Sequence, residues 1–137
     1  MSEVLGMFSH ITLGVDDLYN ATRFYDAVMS VLGYQRHSNG HTFAGYGHLD
    51  NAILGTDSLW VLKPLDGRPS SSCNGTNVAF RAANRQQVDD FHQKALALGG
   101  TDEGKPGVRT EVHSNFYAGY VRDPFGNKLV AVCHDPE

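Results

Sequence analysis

The sequence predicts an α+β fold of two tandem βαβββ units whose curved mixed sheets enclose a cleft, with the helices on the outside. The segment Ser9–Gly33 aligns without a gap on Thr76–Gly100, an offset that carries residue 9 to residue 76. Each copy joins an alternating apolar pattern, typical of a strand, to an apolar stripe with helical spacing. Short apolar stretches broken by glycine follow each copy and indicate further strands.

The first predicted unit spans residues 7–64. Apolar and polar residues alternate from Phe8 to Val15, which indicates a strand. Asp17 is a predicted N-cap for the helix that follows, and Gly33 can end that helix. The stretches "YQRH", "HTFAGYG" and "SLWVLKP" are predicted to form the remaining strands.

The second predicted unit spans residues 76–134 and follows a linker, 65–75, that is rich in Gly, Ser and Pro. Asn84–Gln87 resembles a capping box, which marks the start of the second helix. The stretches "VRTEVH", "YAGYVRD" and "KLVAVCH" are predicted strands. Asp123–Gly126 fits a type I turn, so we interpret Asp123 as structural.

Composition limits the classes of partner. The 137 residues fit one compact domain, and a net charge of -4 without a basic cluster argues against nucleic acid and anionic membranes. No apolar run approaches the length of a membrane span, and the first ten residues lack a signal-peptide pattern. Cys73 and Cys133 are expected to be free thiols in a reducing cytosol, so we predict a cytoplasmic protein.

Three stretches carry a resemblance to a known family. They are "HITLGVDDLYNATRFYDAVMSVLGY", "NVAFRAANRQQVDDFHQKALALGG" and "YAGYVRDPFGNKLVAVCH". Together they resemble the glyoxalase/bleomycin-resistance/extradiol-dioxygenase superfamily, which has the vicinal oxygen chelate fold. The resemblance implies a homodimer. It does not specify a reaction, because isomerases, lyases, dioxygenases and non-catalytic drug binders share this scaffold.

The resemblance also implies where a metal would bind. Members with metal chemistry take ligands from the first and last strands of each unit, and His10 matches the first of these positions. The other positions carry Asn77, Val130 and the stretch Ser58–Pro64, which has no histidine or carboxylate. We therefore expect no metal at the usual positions, with His10 as the only possible surviving ligand. No cofactor is expected, although a divalent metal on a non-standard set of ligands stays open.

Candidate catalytic residues are His10, Glu111 and His113. An imidazole titrates near neutral pH, so His10 is a candidate acid/base group. Glu111 and His113 lie two residues apart, so on a strand they would project from the same face, where they could move protons or join His10 in a variant metal site. An exposed strand end is the alternative for this pair.

Further residues are expected to line the cleft. Trp60 either stacks on a planar ligand or belongs to the core, and Arg81 either binds an anion or is a surface charge. Val130 would make the cleft apolar where an acid would have charged it. The predicted cleft residues are Trp60, Asn77, Arg81, Tyr117, Tyr120 and Val130.

Three functions stay open. The first is a protein that binds a small organic molecule in the cleft without a metal. The second is a glyoxalase-like lyase or isomerase that uses a non-standard metal site or a metal-free acid/base pair. The third is an interaction module that has lost its small-molecule chemistry.

Overall fold

The computed structural model describes residues 5–137. Residues 1–4, which begin the segment in which we expect no signal peptide, lie outside the described residues. Sheet 1 contains β1 (His10–Gly14), β2 (Gln35–Asn39), β3 (Phe43–Gly47) and β4 (Ser58–Leu62), with helix α1 (Leu18–Val31) and a 3₁₀ turn at Leu49–Asn51. Sheet 2 contains β5 (Val78–Arg81), β6 (Thr101–Val108), β7 (Tyr117–Arg122) and β8 (Lys128–Cys133), with helix α2 (Arg85–Ala97).

The two sheets have the same topology. The strand order is β1-β4-β3-β2 in sheet 1 and β5-β8-β7-β6 in sheet 2. The first and last strands of each unit pair in parallel, and the other pairs are antiparallel. The predicted α+β class with two βαβββ units is therefore confirmed.

The helix ends follow the repeat in the sequence. Asp17 caps α1 and Asn84 caps α2, and each side chain accepts the backbone N–H three residues further on, at 3.1 and 2.8 Å. Gly33 and Gly99 follow the two helices with φ of 89° and 95°, a conformation that favours glycine. The sequence alignment instead places Gly100 opposite Gly33, so the repeat slips by one residue at the end of α2.

The two units share one apolar core. Each helix covers one face of its sheet, and α1 also packs against α2. The opposite face of each sheet, which we call its open face, points away from this core. In the described part of the chain, no helix has the length and apolar character needed to cross a bilayer. The largest buried side chains of the two helices are Phe24, Tyr25, Val28, Met29, Val88 and Phe91.

The turn between β7 and β8 connects the two units through hydrogen bonds. Asp123 is buried and accepts the hydroxyl proton of Tyr25 at 2.6 Å, as well as the backbone N–H groups of Phe125 and Asn127. The side-chain amide of Asn127 donates to the carbonyl of Gly14 at 2.8 Å. Burial and the Asp123 carboxylate raise the pKa of Tyr25, so this hydroxyl remains a donor. The predicted structural role of Asp123 is confirmed.

One predicted strand is wrong. "VRTEVH" starts with Val108, the last residue of β6, and continues as a loop, so the strand here covers Thr101–Val108 instead. β6 lies at the edge of sheet 2 and contains Pro106 between irregular pairings with β7. An edge strand tolerates proline, glycine and charged residues, because one of its sides makes no ladder hydrogen bonds. Its sequence therefore lacks the alternating pattern by which the other strands are predicted.

Candidate functional site

A hollow lies between the first strands of the two units, and we call it the inter-unit hollow. Its volume is about 250 Å³. Its walls combine apolar side chains from the shared core with polar groups from strand ends. The apolar group comprises Met29, Tyr34, Tyr46, Leu59, Val78 and Phe80, and the polar group comprises His10, Asp57, Ser58 and Arg81.

A second hollow, of about 380 Å³, lies on the open face of sheet 1, and we call it the sheet-1 hollow. Half-buried Trp60 lines it, and its indole N–H donates to the carbonyl of Gly55 at 3.2 Å. A Cβ atom on Gly45 would lie 2.6 Å from the Trp60 ring, so this glycine leaves the space in which the indole lies. The remaining lining is mostly apolar and includes Phe43, Leu54, Leu62 and Leu65.

His10 lines both hollows. It begins β1, is exposed, and its Nδ1 lies 2.8 Å from the hydroxyl of Ser9. An exposed imidazole at the mouth of two hollows can exchange a proton with a molecule bound in either. The catalytic role of His10 stays a prediction.

A second histidine, which the sequence analysis did not select, lies next to the inter-unit hollow. His37 Nε2 lies 2.9 Å from the hydroxyl of Ser58, and Nδ1 lies 2.8 Å from the hydroxyl of Ser38. Ser58 donates its own proton to the carbonyl of Thr56, so it accepts from Nε2–H, and Nδ1 accepts from Ser38. Burial lowers the pKa of His37 and favours this neutral form. No spacing in the sequence indicates the pair, since its members come from β2 and β4.

The predicted cleft residues of sheet 2 do not lie together. Arg81 is exposed and lines the inter-unit hollow with His10, whereas exposed Asn77 lines neither hollow. Val130 is only 2% exposed and forms a small apolar cluster on the open face with Ala118, Val132, Phe116 and Tyr120. His10, Asn77 and Val130 thus do not line a common hollow within the described chain.

Tyr117 and Tyr120 lie on opposite faces of β7. The Tyr120 ring packs on the open-face cluster, directly across from Val130. Tyr117 packs against the shared core, and its hydroxyl donates to Asp89 of α2 at 2.6 Å. This hydrogen bond and burial raise the pKa of Tyr117 to about 12. The expectation that Tyr117 lines a cleft beside Tyr120 is corrected, because an odd spacing on a strand separates the two faces.

Glu111 and His113 lie in the loop between β6 and β7 rather than on one strand. Glu111 is exposed. His113 Nε2 lies 2.9 Å from Nδ1 of His134, and His113 Nδ1 accepts the backbone N–H of Asn115. Neither Glu111 nor His113 lines a hollow that contains His10. The catalytic roles of Glu111 and His113 stay predictions.

Comparison with known proteins identifies the family. The model of the Glyoxalase/Bleomycin resistance protein/Dioxygenase superfamily matches residues 7–131. The chain belongs to this superfamily. No curated protein sequence matches it.

Solved structures agree with the assignment to this superfamily. A glyoxalase/bleomycin resistance protein from Albidiferax ferrireducens T118 is 33% identical, with a TM-score of 0.82 over 95% of this chain and 100% of that one. A glyoxalase-related enzyme from Fulvimarina pelagi is 19% identical, with a TM-score of 0.71 over 94% and 88% of the two chains. The second likeness shows the fold alone.

Superfamily membership raises the question of a metal. At the positions that the resemblance implies, His10 offers an imidazole, Asn77 an amide and Val130 a buried isopropyl group. A catalytic transition metal generally needs three histidine or carboxylate ligands, so this set does not fit one. Among residues 5–137, no group of three or more His, Cys, Asp or Glu side chains is arranged to hold an ion. His10, Glu111 and His113 accordingly do not form such a group.

Proposed function

We propose that this superfamily member binds a small organic molecule in the inter-unit hollow, without using the family's usual metal positions. The observation that carries the proposal is the composition of the hollow. Apolar side chains of the shared core form most of its wall, while His10, Ser58 and Arg81 offer polar anchors. Ligand sites commonly combine an apolar wall with a few polar groups that orient the ligand.

The size of the hollow restricts its ligand. Pockets for drug-sized molecules have volumes of roughly 300–1,000 Å³. The inter-unit hollow, at about 250 Å³, is smaller, so it suits a compact ligand. Arg81 can bind an oxygen of that ligand through its guanidinium group, and apolar side chains such as Leu59 and Phe80 can contact its carbon skeleton.

Filling the hollow tests this proposal. Ala79 is exposed and lines the hollow, so Ala79→Phe should occupy it, whereas Ala83→Phe adds the same ring at an exposed position outside it. Neutral fragments that bind the wild-type chain should shift the methyl NMR signal of Met29. Ala79→Phe should abolish those shifts, and Ala83→Phe should retain them. The proposal fails if no fragment moves the Met29 signal, or if both variants bind equally.

A second candidate function rests on His10. Its exposed imidazole lies at both hollows, so a metal-free lyase or isomerase reaction would have a proton carrier there. The expected signature is deuterium exchange next to the carbonyl group of 2-oxo compounds or their thiol adducts, lost in His10→Ala. Equal exchange by wild type and His10→Ala would exclude His10 as the proton carrier.

We also infer that the chain forms a homodimer and has no nucleic-acid or membrane partner. The resemblance supports the dimer, and so do exposed apolar side chains around the sheet-1 hollow, where Leu54 is 82% and Leu65 is 95% exposed. Sedimentation at micromolar concentration should give the mass of a dimer. A monomeric value would contradict the inference, and Leu65→Asp should weaken the dimer more than the exposed control Ala83→Asp.

A further inference from the structure

The two tyrosines of β7 each lie beside a cation, on opposite faces of sheet 2. On the helix side, the guanidinium carbon of Arg85 lies 5.0 Å from the ring centre of Tyr117. On the open face, Arg109 and Lys128 each lie 5.5 Å from the ring centre of Tyr120. A cation near an aromatic face is attracted by the ring, so both arrangements are favourable in themselves.

The groups around the two tyrosines differ in their acidic partners within the described residues. On the helix side, Tyr117 donates to Asp89, and Arg85 pairs with Glu137 at 3.4 Å. On the open face, no ion pair within residues 5–137 involves Arg109 or Lys128. Two positive charges therefore lie near one phenol ring, and neither forms an ion pair within the described residues.

Arg109 is held in place before any ligand arrives. One of its terminal nitrogens, Nη2, donates to the carbonyl of Lys105 at 2.6 Å, and its backbone N–H donates to Phe116. Gly104 and Gly107 leave room for the guanidinium, since a Cβ atom at these positions would lie 3.4 and 3.0 Å from its terminal nitrogens. A fixed guanidinium loses less side-chain entropy on binding, and its other N–H groups stay available.

The aromatic ring near the two cations is also fixed. Tyr120 stands across from buried Val130 and packs against Ala118 and Val132. The nearby Arg122 differs from the two cations because its Nε donates to Glu103. We propose that Arg109 and Lys128, arranged around Tyr120, bind the carboxylate or phosphate group of a small organic anion.

An oxyanion at this place would relieve the repulsion between the two cations. It would also match the planar fork of Arg109, which binds carboxylate and phosphate with two parallel hydrogen bonds. None of the three residues lines the inter-unit hollow or the sheet-1 hollow. The site is therefore independent of the proposed function, and either proposal can fail without the other.

Titration with phenyl phosphate and with benzoate tests the site. The probes carry the two alternative oxyanions on the same ring, so the tighter binder identifies the preferred group. At low salt, at least one probe should shift the Arg109 Nε and Tyr120 ring NMR signals, with a dissociation constant on the order of 1 mM that weakens as salt is added. The absence of any shift at these signals with both probes overturns the proposal.

Matched variants distinguish binding of the probe at this site from its non-specific attraction to positive charge. Arg109→Gln and Lys128→Gln should each weaken binding about tenfold. Arg109→Lys should retain part of the affinity, because it keeps the charge and loses the fork. Arg85→Gln removes the equivalent cation on the other face of the same sheet and should leave binding unchanged. Equal losses in Arg85→Gln and Arg109→Gln would overturn the proposal.

Discussion

At position 130, the second sheet carries an isopropyl group where the resemblance implies a metal ligand. The sequence predicts a strand there and the face on which Val130 lies, because residues on a strand alternate. It does not predict that Tyr120 lies directly across from Val130, since the register between β7 and β8 depends on the turn that joins them. We expected Val130 to line a cleft. In the structure it packs beneath the Tyr120 ring instead.

Substitutions at Val130 should reflect this burial. Val130→Ala should lower the free energy of unfolding by roughly 2 kcal/mol, since it removes packed methyl groups and leaves a cavity. Val130→Glu should cost more, because it buries a carboxylate in an apolar cluster. Ala79→Glu, at the exposed partner of Val130 in β5, should have a small effect in urea denaturation. A stable Val130→Glu variant would mean that the side chain reaches solvent.

His37 should make stability depend on pH. Burial lowers its pKa in the folded chain, whereas in the unfolded chain it titrates near 6.5. The unfolded state therefore binds more protons just below pH 6.5, and stability falls as the pH falls through 6.5 toward the lower folded-state pKa.

Urea denaturation at about pH 7 and about pH 5 measures this dependence. His37→Gln should lose less stability between the two conditions than the wild type does. His41→Gln, at an exposed histidine, should behave like the wild type. Identical pH profiles for all three proteins would contradict the role assigned to His37.

At the scale of the elements, the sequence predicts both helices and most strands, because their apolar periodicity reflects burial against one core. β6 is the exception, since an edge strand with Pro106 has no such pattern. For the same reason, the sequence led us to expect Glu111 and His113 on a strand, although they lie in the loop that follows β6. Contacts between separate strands, such as His37 with Ser58, leave no periodic signal in a single sequence.

The cap of α2 should contribute measurably to stability. The side chain of Asn84 accepts the N–H of Gln87, and Gln87 in turn accepts the N–H of Ala83 at 2.8 Å. Asn84→Ala should lower the free energy of unfolding by about 1 kcal/mol. Gln93→Ala, at an exposed position within the same helix, should change it little. Equal effects of the two substitutions in thermal unfolding would show that the cap contributes nothing.

At the scale of the whole molecule, we expect the two units to unfold together. Their helices share a core, and the β7–β8 turn forms hydrogen bonds to the first unit. Asp123 is the carboxylate at this junction, and it is 2% exposed. Burying a carboxylate costs free energy unless its hydrogen bonds are made. The loss of one donor to Asp123 should therefore lower the stability of both units.

A double-mutant cycle at the junction tests this coupling. Tyr25→Phe and Asp123→Asn should each destabilise the chain, and the double variant should lose less than the sum, with a coupling of roughly 1–3 kcal/mol. Tyr117→Phe, which removes a hydroxyl bonded to Asp89 instead, should combine additively with Asp123→Asn. Additive behaviour of the Tyr25 pair in urea denaturation would mean that the hydrogen bond contributes no stability.

The junction also has a consequence for the segment 65–75, which contains no helix or strand. Because Tyr25, Asp123, Asn127 and Gly14 connect the halves directly, we expect the halves to stay associated without the covalent link once folding is complete. Protease cleavage near the exposed Arg68 should therefore yield two fragments that elute together from a size-exclusion column and separate only in denaturant. Such a nicked complex would have the architecture of two half-length chains that associate, the arrangement from which a fused duplicate can arise.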